Sequence, residues 1–295
     1  MSNRSWLRTF VLVIAVAAIG LNIAVPAFGQ TAAATKDTSI KIDGEYTAFG
    51  ITDASLHGHK IDQLINIVHW FMGILFVGWG IFFIYCLARF RQRPGHKADY
   101  ELTKAKPAKV IELAVAVFEA VLLLSFSIPI WASVKNDLPQ PSDKIPPVRV
   151  RVVAEQFAWN FHYPGVDGKF GKVDPKLVDT ALNPLGLDKT GDGADDVFAL
   201  EFRIPVDRPI LCDISSKDVI HSFFLPVMRV KQDAIPGMRI PTWFQATKTG
   251  IYEVACAQLC GNNHYSMRAL MYVQTQTDFD NWLIEKAKPP EVFVD

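Results

Sequence analysis

Two cysteines, a histidine and a methionine stand close together in the segment CAQLCGNNHYSM, residues 256–267. A disulfide between Cys256 and Cys260 is one interpretation, but it leaves His264 and Met267 unexplained. Zinc would accept two thiolates and an imidazole, yet it gains little from a thioether. Thiolate, imidazole and thioether ligands together are typical of copper. The segment therefore favours a redox-metal site over a disulfide or a zinc site.

A second histidine upstream extends this candidate site. His221 stands in KDVIHSFFLP, at the end of a predicted strand, and is followed by apolar residues that could keep water out. A blue-copper centre uses two histidines, one cysteine and an axial methionine. Because this chain offers a second cysteine, the residues predict two metal ions bridged by both sulfur atoms. The remaining cysteines, Cys86 and Cys212, are predicted to be buried apolar residues.

The elements that must position these residues are β-strands. Short runs rich in Val, Ile, Phe and Tyr, broken by turn residues, fill the chain after residue 147. Several of them alternate polar with apolar side chains, as half-buried strands do. No helix-length pattern appears until TDFDNWLIEKA, near the C-terminus. An all-β sandwich or barrel of Greek-key type is therefore predicted for residues 148–295.

Three long apolar stretches precede this domain. The first follows Arg4 and Arg8 and ends before small residues, which indicates a secretory signal peptide, with a third membrane helix as the alternative. The other two are long enough to cross a bilayer, and the basic loop between them is expected in the cytoplasm. The predicted organisation is a signal peptide at 1–29, a periplasmic segment at 30–60, transmembrane helices at 61–90 and 110–134, a cytoplasmic loop at 91–109 and a Pro-rich linker at 135–147.

The charge balance and one missing motif bound the partners. The chain has 30 basic and 30 acidic residues, so its charge predicts no nucleic-acid partner. The sequence contains no Cys-x-x-Cys-His segment, so no c-type haem is fused to the exported domain. An electron donor would therefore have to be a separate protein.

One acidic loop could be mistaken for a second metal site. LDKTGDGADD places Asp188, Asp192 and Asp196 at spacings similar to those of a calcium loop. A full loop would have a bidentate Glu at its twelfth position, where this sequence has Ala199. We therefore expect a solvated acidic turn here and not a calcium site.

The segments DVIHSFFLP, VKQDAIPG and CAQLCGNNHYSM together resemble the copper-A domain of subunit II of haem-copper cytochrome c oxidases. The resemblance extends to the two-helix hairpin and to EQFAWNFHYP, and so covers nearly the whole mature chain. It implies a cupredoxin-like Greek-key sandwich behind a transmembrane helical hairpin. It also implies a binuclear copper-A centre, whose ligands would be His221, Cys256, the backbone carbonyl of Gln258, Cys260, His264 and Met267.

The same resemblance implies a role for the chain. It would be the electron-entry subunit of an oxidoreductase, accepting electrons from a cytochrome c and passing them to the haem-bearing subunit I. There oxygen would be reduced to water, coupled to proton translocation. The expected partners are subunit I, other oxidase subunits, the cytochrome and membrane lipid. The expected location is the bacterial inner membrane, as a multi-pass protein with its copper domain on the periplasmic side.

Three further positions bear on this resemblance. Many members have a Glu where this chain has Gln258, and the neutral amide is a poorer ligand for the magnesium ion that the carboxylate helps to bind. Phe157 stands where the family usually has a Trp for electron entry, and Trp159 is the alternative, expected on the same strand face. Glu112 matches a family Glu at the mouth of a proton channel.

Three rival interpretations have different signatures. A quinol-oxidase subunit II would have the same hairpin and β-domain without copper, which the retained ligand residues argue against. A membrane-tethered copper carrier should have exposed ligands and needs neither two helices nor carboxylates within one of them. A relay of the nitrous-oxide-reductase type would usually be joined to a large catalytic domain.

Overall fold

The computed structural model describes residues 41–44, 46–47, 50–97 and 106–288. The predicted signal peptide lies outside these residues. A pair of long helices precedes a β-domain, which ends in one further helix. The strands of the described residues are β1 Tyr46–Thr47, β2 Gly50–Ile51, β3 Val148–Glu155, β4 Ala158–Tyr163, β5 Val197–Ala199, β6 Phe202–Pro205, β7 Pro209–Ser216, β8 His221–Leu225, β9 Val230–Ala234, β10 Ile240–Gln245, β11 Gly250–Cys256 and β12 Arg268–Gln274.

The two long helices are apolar along most of their length. Helix α1 spans Gly58–Arg89, while the second helix is built from α2, Lys106–Leu122, a π-helical turn, Leu123–Ser127, and α3, Ile128–Lys135. Both are long and apolar enough to cross a membrane. Most of their large apolar side chains are exposed in the isolated chain. A helix that is apolar on all sides fits lipid or partner helices better than water.

The π-helical turn in the second helix has a cause in the sequence. Pro129, at the start of α3, has no N–H and its ring crowds the carbonyl of the residue four positions earlier. That residue, Ser125, lies inside the π-helical turn. A wider turn moves this carbonyl away from the ring, so the helix continues to Lys135 without a break.

The β-domain is a sandwich of two five-stranded sheets. One sheet has the order β10-β7-β3-β4-β5 and the other has the order β6-β12-β11-β8-β9. The pairs β3 with β7 and β6 with β12 are parallel, and the other pairs within these two sheets are antiparallel. Along β3 every second residue from Val148 is buried, as the alternating sequence predicts. The predicted cupredoxin-like sandwich is confirmed.

Aromatic side chains fill the space between the two sheets. Phe161 of β4 stacks on Phe202 of β6, with ring centroids 4.8 Å apart. Phe223 of β8 contacts both rings, and all three side chains are fully buried. Each buried ring contributes on the order of 2 kcal/mol of hydrophobic stabilisation. This core lies directly behind the strand on which His221 is found.

The segment that precedes α1 is bonded to the β-domain. The backbone N–H of Ala54 donates to the carbonyl of Val227 at 2.9 Å, and the N–H of Thr247 donates to the carbonyl of Ala54 at 2.8 Å. Arg229 donates through Nε to Asp62, within the first two turns of α1, at 2.8 Å. These contacts join the start of α1 to both sheets, because Val227 follows β8 of one sheet and Thr247 follows β10 of the other.

Candidate metal centre

Neighbouring strands bring the predicted ligands together. His221 begins β8, Cys256 ends β11, and Met267 immediately precedes β12. Strand β11 lies between the other two and pairs with both of them. Cys260 and His264 lie in the connection between β11 and β12. Residues that are 46 positions apart in the chain, His221 and Met267, therefore meet at one end of one sheet.

The donor atoms form a compact cluster around the two thiols. The Sγ atoms of Cys256 and Cys260 are 3.9 Å apart. Cys256 Sγ lies 4.0 Å from Nδ1 of His221, and Cys260 Sγ lies 3.6 Å from Nδ1 of His264 and 3.8 Å from Sδ of Met267. The backbone carbonyl of Gln258 lies 3.2 Å from Cys256 Sγ. All six ligand positions implied by the resemblance are thus adjacent.

These separations fit metal ligation and not a disulfide. Both cysteines are free, and their sulfur atoms are well beyond the roughly 2.05 Å of a disulfide bond. A sulfur and a nitrogen bound to one ion at about 2.3 and 2.0 Å would be roughly 3.5 Å apart at a tetrahedral angle. The Sγ–Nδ1 distance between Cys260 and His264 is close to that value. Two thiols, two imidazoles and a thioether are also the donor set that copper prefers.

Burial controls the chemistry of the ligands. His221, Cys260 and Met267 are at most 5 % exposed, while Gln258 is exposed at the surface. Burial, together with the neighbouring thiol of Cys256, raises the pKa of Cys260 to about 11. The protein without metal therefore holds a neutral thiol at Cys260, and a metal ion must displace its proton on binding.

Asp218 orients His221, and sequence reasoning gave this residue no role. Its Oδ1 lies 2.9 Å from Nε2 of His221, so that Nδ1 is left to face Cys256. Partial burial raises the pKa of Asp218, but hydrogen bonds from His221, from the N–H of Gln156 and from the N–H of Val219 outweigh it, and the pKa falls below its ordinary value. Metal-binding histidines generally have such a carboxylate on the second nitrogen.

Gln156 also contacts the site without having been predicted. Its backbone N–H donates to Oδ2 of Asp218 at 2.7 Å, and its side-chain Nε2 donates to the carbonyl of Cys260 at 2.6 Å. The residue lies in the turn between β3 and β4, far in sequence from both partners. Its place in EQFAWN, directly before the aromatic stretch, was the available signal.

The two candidate electron-entry residues do not share a strand face. Phe157 lies in the turn between β3 and β4, whereas Trp159 lies on β4, so the prediction of a shared face is wrong. Trp159 is 1 % exposed, and its ring packs against His221 with centroids 6.2 Å apart. Its ring is therefore not available at the surface of the isolated chain. Phe157 is partly buried against the core and lies next to Gly261, beside Cys260.

The acidic loop uses its carboxylates for internal contacts. Asp188 accepts hydrogen bonds from the N–H and the hydroxyl of Thr190. Asp196 is fully buried, and its Oδ2 lies 2.7 Å from Nε2 of His162. Asp192 lies in the short 3₁₀ turn between them. Within the part of the chain that the structure describes, His221, Cys256 and Cys260 form the group of at least three His, Cys, Asp or Glu side chains that could hold a metal ion.

Glu112 lies apart from this centre, on α2. It is exposed in the isolated chain, as is Glu119 seven residues later on the same helix. Carboxylates within an apolar helix are costly to place in lipid. The two side chains therefore require a partner subunit or a polar cavity beside α2.

Comparison with known proteins decides the family. Residues 148–274 match the family model described as "Cytochrome C oxidase subunit II, periplasmic domain". The alternative cytochrome c oxidase subunit 2 of Bradyrhizobium diazoefficiens is 31 % identical over 226 residues, covering 76 % of this chain and 79 % of that protein. The chain belongs to the cytochrome c oxidase subunit 2 family. Members of this family are components of haem-copper oxidases. The resemblance seen in the sequence is confirmed.

One further relative and one solved structure of a single domain are also similar to this chain. Cytochrome c oxidase subunit 2 of Synechocystis sp. is 27 % identical over 257 residues, which cover 80 % of this chain and 75 % of that protein. The crystal structure of the periplasmic domain of subunit II of cytochrome oxidase from Bradyrhizobium japonicum is 29 % identical, with a TM-score of 0.36. It covers 49 % of this chain and 95 % of that domain.

Proposed function

We propose that this chain is the electron-entry subunit of a cytochrome c oxidase. Electrons from a cytochrome c would arrive at a binuclear copper-A centre and leave for the haem-bearing subunit I, where oxygen is reduced to water and protons are translocated. One observation supports this above the others: the thiols of Cys256 and Cys260 lie 3.9 Å apart, with an imidazole beside each and a thioether next to the second.

The surrounding residues suit a relay of single electrons. Two copper ions at this site would supply one-electron redox chemistry. The ligand residues His221, Cys256 and Met267 lie at the ends of paired strands, so their backbone positions are fixed by the sheet. Trp159 and the aromatic core exclude water from the inner side of His221. A rigid and dry ligand set has little need to rearrange when its charge changes.

Electron entry is proposed at Phe157 and at the adjoining connection between β11 and β12, residues 257–267, which we call the metal loop. Phe157 is partly exposed and lies beside the backbone of Gly261. On the loop itself Leu259 and Tyr265 are 74 % and 86 % exposed. Exposed apolar and aromatic side chains next to a redox centre are suited to contact with a protein partner.

The proposed location is the bacterial inner membrane, with the β-domain in the periplasm. Two helices able to cross a membrane and a match to a periplasmic domain support this arrangement. The predicted cytoplasmic loop, residues 91–109, ends within the first turn of α2, and its basic residues favour the cytoplasmic side. Gln258 offers no carboxylate at the site, so we do not assign a magnesium ligand to it.

Copper loading of the full-length chain in detergent tests the proposal. We expect two copper ions per chain and the multi-line electron paramagnetic resonance pattern of one unpaired electron shared by two coppers. Cys260→Ser should abolish this pattern, while Cys86→Ser, a change to a cysteine on the membrane helix α1, should preserve it. A four-line spectrum from a single copper in the unmodified chain would contradict the binuclear centre.

A further inference from the structure

The part of the metal loop that bends away from the sheet has few fixed points. Residues 258–263 contribute the Gln258 carbonyl and the Cys260 thiol to the site, yet they lie outside β11 and β12. The loop is attached at its two ends, where Ala257 donates to the carbonyl of Ser222 and Cys256 donates to the carbonyl of Met267. The middle of the loop therefore needs another anchor if its donor atoms are to stay in place.

That anchor comes from the turn between β3 and β4, in the other sheet. The side-chain amide of Gln156 donates to the carbonyl of Cys260 at 2.6 Å. Within the described part of the chain, this is the hydrogen bond that joins residues 258–263 to a residue outside the segment 256–267. It fixes the backbone of a ligand directly, because the accepting carbonyl belongs to Cys260 itself.

The same residue also contacts the other half of the site. The backbone N–H of Gln156 donates to Oδ2 of Asp218 at 2.7 Å, and Oδ1 of that carboxylate lies 2.9 Å from Nε2 of His221. Gln156 thus contacts the metal loop through its side chain, and it reaches His221 through the carboxylate of Asp218. The chain of contacts runs from His221 through Asp218 and Gln156 to Cys260.

The geometry around Gly261 shows how closely the turn and the loop fit. Gly261 has a φ of +142°, and a Cβ added there would lie 2.9 Å from Nε2 of Gln156 and 2.9 Å from Cζ of Phe157. The loop therefore approaches this turn with no room for a side chain between them. The contact of Gly261 with Gln156 and Phe157 sets the distance between the metal loop and the sheet that contains β3 and β4.

We propose that Gln156 is a positioning residue for the metal centre. It holds the metal loop and the His221–Asp218 pair in one fixed arrangement. The inference rests on the proposed function, since the centre that it positions is the copper centre proposed above. In this arrangement Gln156 would supply no ligand atom to the metal. It acts through the Cys260 carbonyl and the Asp218 carboxylate.

Gln156→Ala in the full-length chain separates this role from general stability. The change removes the amide that reaches Cys260 and retains the backbone N–H that reaches Asp218. We expect two coppers still to bind, with altered hyperfine splittings, and a chelator to remove them about 10-fold faster than from the unmodified chain. The reason is that the loss of a residue supporting a metal ligand lowers metal affinity about 10–100-fold. Asp218→Asn should alter the splittings as well, because it weakens the contact with His221.

Two control variants remove similar contacts elsewhere. Gln140→Ala removes an amide that donates to the carbonyl of Leu138, and Asp195→Asn changes a carboxylate that accepts from the N–H groups of Val166 and Asp167. Both should retain the spectrum and the copper-release rate of the unmodified chain. A Gln156→Ala protein with that same spectrum and rate would overturn the proposal.

A measurement without copper keeps the two proposals distinguishable. In the metal-free chain, Gln156→Ala should speed amide hydrogen exchange in the peptide that covers residues 258–264, whereas Gln140→Ala should not. Unchanged protection would refute the anchoring role even if the copper spectra differ. If the unmodified chain fails to bind two coppers while the exchange result holds, the copper assignment fails and the anchor remains.

Discussion

At the scale of single residues, Gly261 has a tightly constrained position in the metal loop. Its backbone conformation is one that residues with a Cβ rarely adopt, and a Cβ would crowd Gln156 and Phe157. We expect Gly261→Ala to destabilise the chain by about 1–3 kcal/mol and to speed copper release. Thermal unfolding with and without copper would measure both effects. A variant with unchanged stability would show that the turn gives way to the added methyl group.

A second residue-scale prediction concerns the pH dependence of stability. Burial lowers the pKa of His162, and the hydrogen bond to Asp196 only partly offsets this effect. In the unfolded chain His162 has an ordinary pKa near 6.5, so below that pH the unfolded state binds more protons than the folded state. The free energy of unfolding should therefore fall as the pH drops below about 6.5.

The variant His162→Gln isolates this contribution. Glutamine is neutral at every pH in the range and retains an amide that can donate to Asp196. The melting temperature should then fall less between pH 7.5 and pH 5.5 than it does for the unmodified chain. Gln140→Ala, which removes no titratable group, is the control and should leave the slope unchanged. Equal slopes for His162→Gln and the unmodified chain would contradict the prediction.

The candidate metal ligands could be picked out in the sequence because thiol, imidazole and thioether side chains are typical of copper ligation. Cys256, Cys260, His264 and Met267 are also close in the chain, so a short segment shows most of the set. Gln156 could not be found in this way, because glutamine occurs everywhere and its partners lie 62 and 104 positions away. Its hydrogen bonds in the folded chain show that it reaches the site.

At the scale of elements, the junction between α1 and the β-domain depends on Arg229. The residue has a φ of 55°, which is unusual for a side chain other than glycine. Its guanidinium donates to both oxygens of Asp62 and to the carbonyls of Ile51 and Pro226, at 2.6 to 3.0 Å. These contacts hold the strained backbone in place and fix the helix start against the domain.

Two substitutions separate the side-chain contacts from the backbone strain. Arg229→Ala should destabilise the junction by about 1.5–3 kcal/mol, since it removes hydrogen bonds to a charged group. Arg229→Gly removes the same contacts but tolerates a positive φ, and should be about 1 kcal/mol more stable than the Ala variant. Hydrogen exchange in the peptide that covers residues 51–62 would report the loosening. Equal stability of the two variants would show that the backbone is not strained.

The elements themselves were only partly predictable. The alternation of β3 and the apolar length of both membrane helices are regular patterns, and the structure follows them. The segment from residue 148 to 163 reads as one unbroken run of strand-forming residues, yet it forms a hairpin that turns at Gln156 and Phe157. No Gly, Pro or Asn marks that turn. It is stabilised by distant contacts with Asp218 and Cys260, which no local pattern contains.

At the scale of the whole molecule, the exposed apolar surface of both long helices shows where the chain must meet other components. Most of their large apolar side chains are exposed, and two carboxylates interrupt the second helix. Lipid can cover the apolar surface, but a carboxylate at the centre of a membrane helix costs about 2.5–3.5 kcal/mol. Glu112 and Glu119 are seven residues apart and so lie on nearly the same side of the helix. That side is where a partner subunit should pack.

Glu112→Gln in the assembled oxidase tests whether this side of the helix also has a functional role. If Glu112 passes protons towards subunit I, the amide should lower turnover and proton uptake several-fold in vesicles, since it cannot release a proton. The copper spectrum should remain unchanged, because Glu112 lies on α2 and is not among the residues of the candidate metal centre. Glu119→Gln is the matched control on the same helix side. A wild-type rate and wild-type proton uptake for Glu112→Gln would exclude it from the proton path, and its carboxylate would then serve only to contact the partner subunit.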